Sequence, residues 1–539
     1  MPLLNALLGP VKRFYAETFQ RRHLRREELR RTWGQELPRE RNMALIALYH
    51  NFWEEQGESV DGVTWADLGM DDVFAKLDRT VSMLGSQVLY HQLSTVEDDA
   101  VVLAERSRQQ AVLRADSTLR EEAQMLLTRM EGPGGAWLAP LLLNLLPESP
   151  WFGWLLFLCS CLSLVCLGGL YLDAHFLLPV LALLAINVLM NETYGRRISP
   201  YLPGFCQIER LLGVVVGLAQ LPNAHELPQL RRCLECLTQA ARIRKRIQWF
   251  VVDRTRKSGF WHSFVGYLNL LLLWDILAFL RSADTLREAQ ADLVTMLEAV
   301  GSLDAAISVA SYLESLPYST IPELGESRCL RVVDLYHPLL AAPVGNSIQL
   351  SERSALITGS NMAGKTTFIR TIGVNILLAR TLHFCLAREA LLPKVVVHAS
   401  IRREDHLAEG QSYYFAELVR LLEFVRAGDD GRLHLFLIDE IFRGTNTVER
   451  LAASTAVLHN LCEHQLVLAT THDLELQEML RDTCDMHHFR EGIVNGVCHF
   501  DYRIQAGPTR SRNAIRLLEL QGYPLSITEE AGVLADQLS

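Results

Sequence analysis

Apolar positions recur every three or four residues between 40 and 130, among many charged ones, and the same pattern resumes from 205 to 320. That spacing lays one apolar stripe along a helix, so both stretches are predicted to be helical with a buried face. Between them the pattern changes. From Trp151 to Leu172 there is no charged residue, and after Asp173 and His175 the run Phe176–Met190 is apolar apart from Asn187. Beyond residue 325 the apolar residues gather into short unbroken runs, among them Ala355-Leu356-Ile357, Leu433-His434-Leu435-Phe436-Leu437-Ile438 and Leu466-Val467-Leu468-Ala469. Strands buried on both faces of a parallel sheet read this way. The predicted fold class is multidomain: an α-helical core region interrupted by an apolar helical hairpin, followed by an α/β domain. The predicted boundaries are a basic N-terminal helix at 1–40, helical core at 41–145, hairpin at 146–195, helical core again at 196–324 and the α/β domain at 325–539.

An uncharged run of this length matches the ~30 Å hydrocarbon core of a bilayer. Two such runs joined by a very short polar turn predict a transmembrane hairpin across 151–190. Trp151, Trp154 and Tyr171 suit the membrane interfaces, and Arg196-Arg197 after the second run favours a cytoplasmic end. Both flanking portions then face the cytoplasm. The alternative is a helical pair buried in a large core, disfavoured because globular helices seldom stay uncharged on every face. A third run, Phe264 to Leu280, is shorter and contains Asn269 and Asp275, so it is expected to be a buried soluble helix. A third span would put the two soluble portions on opposite faces. The apolar run is internal and therefore no signal peptide, and none is read at residue 1.

A chain of 539 residues exceeds one core and implies three or four domains. Its net charge of −10 gives no global attraction for nucleic acid. Of eleven cysteines, Cys233 and Cys236 form the only C-x-x-C, with no second pair at zinc spacing, and are expected simply to pack. Nothing suggests a disulfide framework, in keeping with a reducing cytoplasm. Positive charge gathers at Lys12, Arg13, Arg21, Arg22, Arg25, Arg26, Arg30 and Arg31, and again at Arg242, Arg244, Lys245, Arg246, Arg254, Arg256 and Lys257 around Trp249 and Phe250. Such clusters suit nucleic-acid phosphates, anionic lipid headgroups or water alike.

Candidate chemistry sits at the ends of the predicted strands. Gly359-Ser360-Asn361-Met362-Ala363-Gly364-Lys365-Thr366-Thr367 fits G-x-x-x-x-G-K-[ST] directly behind a strand-like run. Its glycines let backbone N–H groups close on nucleotide phosphates at a helix N-terminus. Lys365 is expected to reach the β- and γ-phosphates and Thr366 to ligate Mg²⁺. The next strand ends in Asp439-Glu440, where Asp439 can hold the Mg²⁺ shell and Glu440 can orient and deprotonate water. A third ends in Thr470-Thr471-His472-Asp473, and His472 there can sense the γ-phosphate; alternatively it is a strand-end histidine satisfied by backbone. Three such strand ends in this order predict an ABC-class ATPase that binds ATP and Mg²⁺.

The segments are also specific. Thr358–Thr367 resembles the TGPNMxGKST loop of the MutS family of DNA mismatch-repair ATPases, Asp439–Thr447 its DEIGRGTST segment and Ala469–Leu476 its ATHxxEL segment. Asp405 and Gly410–Leu418 look like the D…G.ST(F)…E signature, which by resemblance makes Ser412 the serine that reaches the partner's nucleotide across a dimer. Tyr336-His337-Pro338 with Asn346 is similar to the family's RHP…N segment, and Gly507, Ser511, Ala514, Gly522 and Pro524 follow its closing pattern. More weakly, Thr80–Leu93 with Arg108–Val112, and Leu303–Ala310 with Pro322–Leu324, resemble the start and return of the MutS lever. Departures are Phe442 for a glycine, Asn446 for a serine, Tyr413 for a threonine and Val344 where many members stack an aromatic on adenine; His487 aligns with a histidine near the base in some members, with His488 adjoining.

The hairpin occupies the place where the family's long helices project a DNA clamp. No room for the mismatch-reading domain is read before the lever, Phe52-Trp53-Glu54 is a chance F-x-E, and no Smr-type nuclease domain is read after the ATPase motifs. The resemblance thus implies a membrane-anchored ATPase, a homodimer with composite nucleotide sites, acting on mismatched, branched or damaged DNA. A mechanical membrane ATPase with a protein or lipid client is the alternative, and a nucleotide-gated scaffold is disfavoured by Glu440 and His472.

Overall fold

A computed structural model of the chain describes residues 20–36, 38–53, 59–144, 153–199, 201–223, 225–247, 271–360, 362–401, 413–442, 446–494, 497–508 and 523–537. They form two compact units. One is helical and comprises 1–57, 77–92 and 108–315; the other contains the sheets and comprises 58–76, 93–107 and 316–539. The sheet unit therefore takes in two short stretches of what the periodicity reads as one helical run.

In the helical unit, the helix at 20–32 packs through charge. Arg30 makes a bidentate pair with Glu121, at 2.8 Å from Nε and 2.8 Å from Nη2. Arg26 pairs with Glu122 and Arg25 with Glu131. Their partners Glu121 and Glu122 lie on α1 (Ser117–Leu127), whose Arg120 guanidinium stacks 3.7 Å over the Trp33 ring. Three arginines of the basic helix are thus engaged with carboxylates. Lys12 and Arg13 lie outside the described residues, as do Trp249, Phe250, Arg254, Arg256 and Lys257 of the second cluster.

Helices α2 (Gly153–Leu170) and α3 (Leu177–Met190) pack on one another across the short connection Tyr171–Phe176. Their outward faces are apolar: Trp154 is 65% exposed, Val165 64% and Leu178 76%. Beyond them come α4 (Leu202–Leu218), α5 (Leu237–Ile247), α6 (Trp274–Glu288) and the 25-residue α7 (Gln290–Glu314). By length and composition three described helices could cross a membrane, Gly153–Leu170, Ala174–Ile198 and Gln290–Glu314. The third is 78% buried against 28% and 11% for the others, so α7 is a core helix. Of the third apolar run, 264–270 falls outside the described residues and the remainder belongs largely to α6.

α7 ties the unit together through a buried carboxylate. Asp304 accepts from the Val81 N–H at 2.9 Å, the Ser82 N–H at 2.8 Å and the Ser82 hydroxyl at 2.6 Å. A Cβ on Gly85 would lie 2.3 Å from Asp304 Oδ2, so only glycine allows this approach. The segments resembling the two ends of the lever are therefore in direct contact.

The sheet unit holds a four-stranded sheet and a six-stranded one. The first, ordered β1-β5-β2-β3, consists of β1 (Glu323–Gly325), β2 (Leu330–Leu335), β3 (Asn346–Leu350) and β5 (Glu389–Pro393). The second, ordered β10-β9-β4-β8-β7-β6, consists of β4 (Ser354–Thr358), β6 (Val396–Ser400), β7 (His434–Asp439), β8 (Leu466–Thr471), β9 (Cys484–Val494) and β10 (Val497–Ala506). All its pairings are parallel except β9 with β10. Parallel neighbours need crossovers, supplied by helices α8 (Lys365–Leu382), α9 (Tyr413–Ala427), α10 (Thr447–His464) and α11 (Leu474–Met479). Every residue of β4, β7 and β8 is buried, in keeping with the apolar runs at their centres. The edge strand β6 is covered by the helix Gly62–Leu68: Thr64 Oγ1 accepts from Ala399 N–H at 2.9 Å and Asp67 Oδ2 from Ile401 N–H at 2.7 Å. That contact is why residues 58–76 belong to the sheet unit.

Candidate functional site

Because β4, β8 and β7 are parallel neighbours, their carboxyl ends lie side by side, and ligand sites of open α/β sheets form at that edge. The loop after β4 turns at Gly359 (φ 138°) and Gly364 (φ 102°), a conformation L side chains rarely adopt. Asn361 lies outside the described residues. Ala363 is buried, Met362 is exposed, and Ser360 Oγ is buried with no partner among the described residues. Lys365 opens α8, and its almost fully buried side chain folds back into the loop. Its Nζ donates to the Gly359 carbonyl at 2.6 Å and to the Ser360 carbonyl at 2.9 Å.

The three strand ends meet through side chains. Thr366 Oγ1 donates to Asp439 Oδ2 at 2.9 Å, and Thr470 Oγ1 donates to Asp439 Oδ1 at 2.5 Å. Glu440 follows at φ 59° and is buried; its carboxylate lies 3.8 Å from Lys365 Nζ and 3.4 Å from His472 Nδ1. Its N–H is tied to the Thr470 carbonyl at 3.1 Å. A glutamate held in the left-handed region costs ~1–3 kcal/mol, a strain characteristic of functional sites. Lys365, Thr366, Asp439, Glu440 and His472 thus converge, though they span more than a hundred residues of sequence.

Two departures from the family pattern find a structural reason. Phe442, where the family has glycine, also sits at φ 58°, the conformation glycine favours. Its ring is buried in a cluster with Leu421, Phe424, Ile441 and Leu451, and its N–H donates to Glu417 Oε1 at 2.7 Å, both offsetting the strain. Asn446, in place of serine, caps α10 by accepting from the Glu449 N–H at 3.0 Å.

Beside the loop lies a cavity of about 350 Å³ whose lining includes Val344, Asn346, Met362, Thr367, Phe489 and Tyr502. Tyr502 escapes sequence reasoning. It lies in a bulge of β10 between Phe500 and Ile504, at φ 53°, and a Cβ on Gly364 would be 3.3 Å from its ring. Its alternation within an ordinary polar strand carries no signal; the bulge turns it into the cavity. His337 also lines the cavity, and its burial, aided by Arg370 and Lys76, pushes its pKa down to about 4, so it is neutral near pH 7. His487 is buried in β9 opposite Ile357, does not line the cavity, and is held below its ordinary pKa by burial. Ser412, Asp405, Gly410, Ser511, Ala514 and Gly522 lie outside the described residues.

The oxygen pair Thr366–Asp439 suits a hard divalent cation, which takes few protein ligands when phosphate and water oxygens complete its shell. No cluster of three or more His, Cys, Asp or Glu that could hold a metal occurs among the described residues, so a zinc-type centre has no ligand set there.

Residues 355–539 match the family MutS domain V. The chain is 29% identical over 270 residues to the DNA mismatch repair protein MutS of Aquifex pyrophilus, covering 47% of this chain and 31% of that protein. For the same protein of Listeria monocytogenes serotype 4b, identity is 30% over 257 residues, covering 45% and 29%. For that of Thermus thermophilus it is 29% over 264 residues, covering 48% and 31%. The chain therefore spans about three-tenths of the length of the relatives it matches, and is homologous to MutS proteins over about half of its own, including a segment that matches MutS domain V.

Proposed function

We propose that the sheet unit is a P-loop ATPase of the ABC class that hydrolyses ATP with Mg²⁺, and that α2 and α3 anchor it in a membrane. The observation that carries the chemistry is the convergence of Lys365, the Thr366–Asp439 pair and the Glu440–His472 pair at three adjacent strand ends. In this reading the loop N–H groups and Lys365 bind phosphate oxygens, with Lys365 exchanging its two carbonyl partners for them. Thr366 and Asp439 would hold Mg²⁺, which would supply positive charge to offset that of the phosphates. Glu440 takes the proton of the attacking water, and His472, half exposed beside it, holds the γ-phosphate end. Val344 and Tyr502 give the cavity an apolar wall for the base.

Two copies of the chain would act together, with Ser412 of each completing the other's site. The client we favour is DNA, mismatched, branched or damaged, because the homologous proteins are mismatch-repair proteins. A second reading is a membrane-embedded mechanical ATPase with a protein or lipid client. Arg25, Arg26, Arg30 and Arg244 favour it, since all four are already paired with carboxylates and so are less available to a phosphate backbone. In either reading the exposed apolar faces of α2 and α3 lie in lipid and both soluble portions face the cytoplasm.

Steady-state ATPase of nanodisc-held protein, with and without duplex, mismatched and branched DNA at two salt concentrations, tests the choice. A salt-sensitive change in turnover with one DNA form supports the DNA client. Turnover indifferent to every DNA transfers the assignment to a membrane or protein client.

A further inference from the structure

The hairpin helices carry a polar strip on their inner faces. Ser160, Ser163 and Asn187 are all buried, in helices whose outer faces are apolar and exposed. Asn187 Nδ2 donates to Ser163 Oγ at 3.2 Å, joining the two helices. The Ser163 hydroxyl donates back to the Cys159 carbonyl at 2.8 Å, while the other two side chains reach a third segment: Asn187 Nδ2 donates to the Leu271 carbonyl at 2.6 Å, and Ser160 Oγ to the Leu272 carbonyl at 2.8 Å.

These carbonyls need outside partners because the helix breaks there. Leu273 has φ 49° and ψ 35°, left-handed values that interrupt the i to i+4 ladder before α6 begins at Trp274. A leucine in this conformation, with two carbonyls handed to side chains of other helices, is the pattern of a discontinuous helix satisfied inside a membrane protein.

The register fixes its depth. Ser160 lies seven residues inside α2 from Gly153, ~10 Å at 1.5 Å per residue. α6 runs back to that end of the hairpin: Leu280 Cδ1 lies 3.7 Å from where a Gly153 Cβ would be, and the Arg281 guanidinium is 5.7 Å from the Phe157 ring centroid. Along the same helix Ile276 approaches Gly195, and Phe279 packs on Tyr201 and on Phe205 of α4. From Leu271 to Leu280 the chain therefore climbs from beside the middle of α2 to the end from which Arg196 and Arg197 emerge.

Resting on the membrane reading above, we propose that Leu271–Leu280 is a third membrane-embedded element, a half-span broken at Leu273, clamped by Ser160 and Asn187 and presenting Trp274 to lipid acyl chains. Trp274 is 39% exposed in the protein, on the segment that continues the apolar faces of α2 and α3, which places acyl chains against it in this reading. The half-span passes through α6 directly into α7, linking the bilayer to the helix that carries Asp304.

The test uses the full chain in phospholipid vesicles doped with a phosphatidylcholine bearing a diazirine at its acyl-chain end, photolysed and mapped by peptide mass spectrometry. Adducts are expected on α2, on α3 and on the peptide containing Trp274 and Leu277. Adducts on α2 and α3 but none on 271–280 overturn the half-span alone; no adducts on any of them overturn the membrane reading as well. As a second measurement, Trp274→Cys should react with a membrane-impermeant maleimide ~10-fold or more slowly than Arg287→Cys, because access limits thiol reactivity. Equal rates overturn the proposal.

Discussion

The Asn346 side chain grips the turn that carries Tyr502 from both sides: its Nδ2 donates to the Tyr502 carbonyl at 2.9 Å and its Oδ1 accepts from the Ile504 N–H at 2.8 Å. Asn346 begins β3 and Tyr502 lies in β10, so this contact joins the two sheets and holds the β10 bulge open toward the cavity. Asn346→Ala removes both bonds and is expected to cost ~1–3 kcal/mol locally. Nucleotide affinity should weaken with it. Tyr502→Ala should weaken binding of a fluorescent ATP analogue by ~5–150-fold, the scale of one lost base–aromatic stack. Tyr502→Phe, which keeps the ring, should bind as the parent does. Unchanged affinity in Tyr502→Ala would remove the base from this cavity.

The metal assignment rests on Thr366 and Asp439. Asp439→Asn and Thr366→Ala should each lower turnover by ~10²-fold and raise the Mg²⁺ concentration needed for half-maximal rate. Lys365→Ala should abolish nucleotide binding outright, since it deletes the cation buried in the loop. Mg²⁺ titrations of turnover check the first pair, and equilibrium binding checks the last. A parental Mg²⁺ dependence in Asp439→Asn would contradict the assignment.

Asp304 sets a pH dependence. Burial, with Asp78 nearby, raises its carboxyl from the ordinary 3.8 to about 6 against the opposing bonds from Ser82 and Val81. The folded chain thus holds this proton more tightly than the unfolded chain does. Its contribution is fully present below pH 3.8 and is lost as the pH rises through 6, by up to ~3 kcal/mol. Amide exchange of segment 79–86 in the full chain, corrected for intrinsic rates, should show protection falling from pH 4 to pH 7. Asp304→Asn should flatten that slope, and Gly85→Ala should lower protection at every pH because its Cβ would overlap Asp304. A slope unaltered by Asp304→Asn would assign the titration elsewhere.

Deleting 146–195 tests how far the hairpin is a detachable anchor. The deletion removes Ser160 and Asn187, leaving the Leu271 and Leu272 carbonyls and the apolar face of α6 without their partners. The shortened chain should therefore aggregate or stay with detergent rather than become a soluble ATPase. A monodisperse, detergent-free product with parental turnover would contradict this.

Much of the sheet unit is legible in the sequence because its chemistry is local. A strand buried on both faces must be an unbroken apolar run, and a phosphate-binding loop must carry glycine where φ is positive, so β4, β7, β8 and the Gly359–Thr367 loop announce themselves. Tyr502 does not, because a β-bulge has no residue signature of its own in His499–Ile504. The pairing of Arg30 with Glu121 is equally hidden: a charge run on a helix reads the same whether it faces water, phosphate or a carboxylate ninety residues away. For Phe264–Leu280, periodicity cannot register the break at Leu273, since leucine has no preference for the left-handed region that would mark it. The helix Gly62–Leu68 reads as one more helix of the core, and only its hydrogen bonds to β6 reveal that it belongs with the sheets.

Glu440→Gln separates nucleotide binding from hydrolysis. Single-turnover assays of the full chain in nanodiscs, with radiolabelled ATP and Mg²⁺, measure binding and hydrolysis separately. The parent should hydrolyse ATP, while Glu440→Gln should bind it with near-parental affinity and hydrolyse it ~10²–10⁴-fold more slowly, the scale of a lost general base. Parental hydrolysis in Glu440→Gln, or none in the parent, would contradict the proposed chemistry.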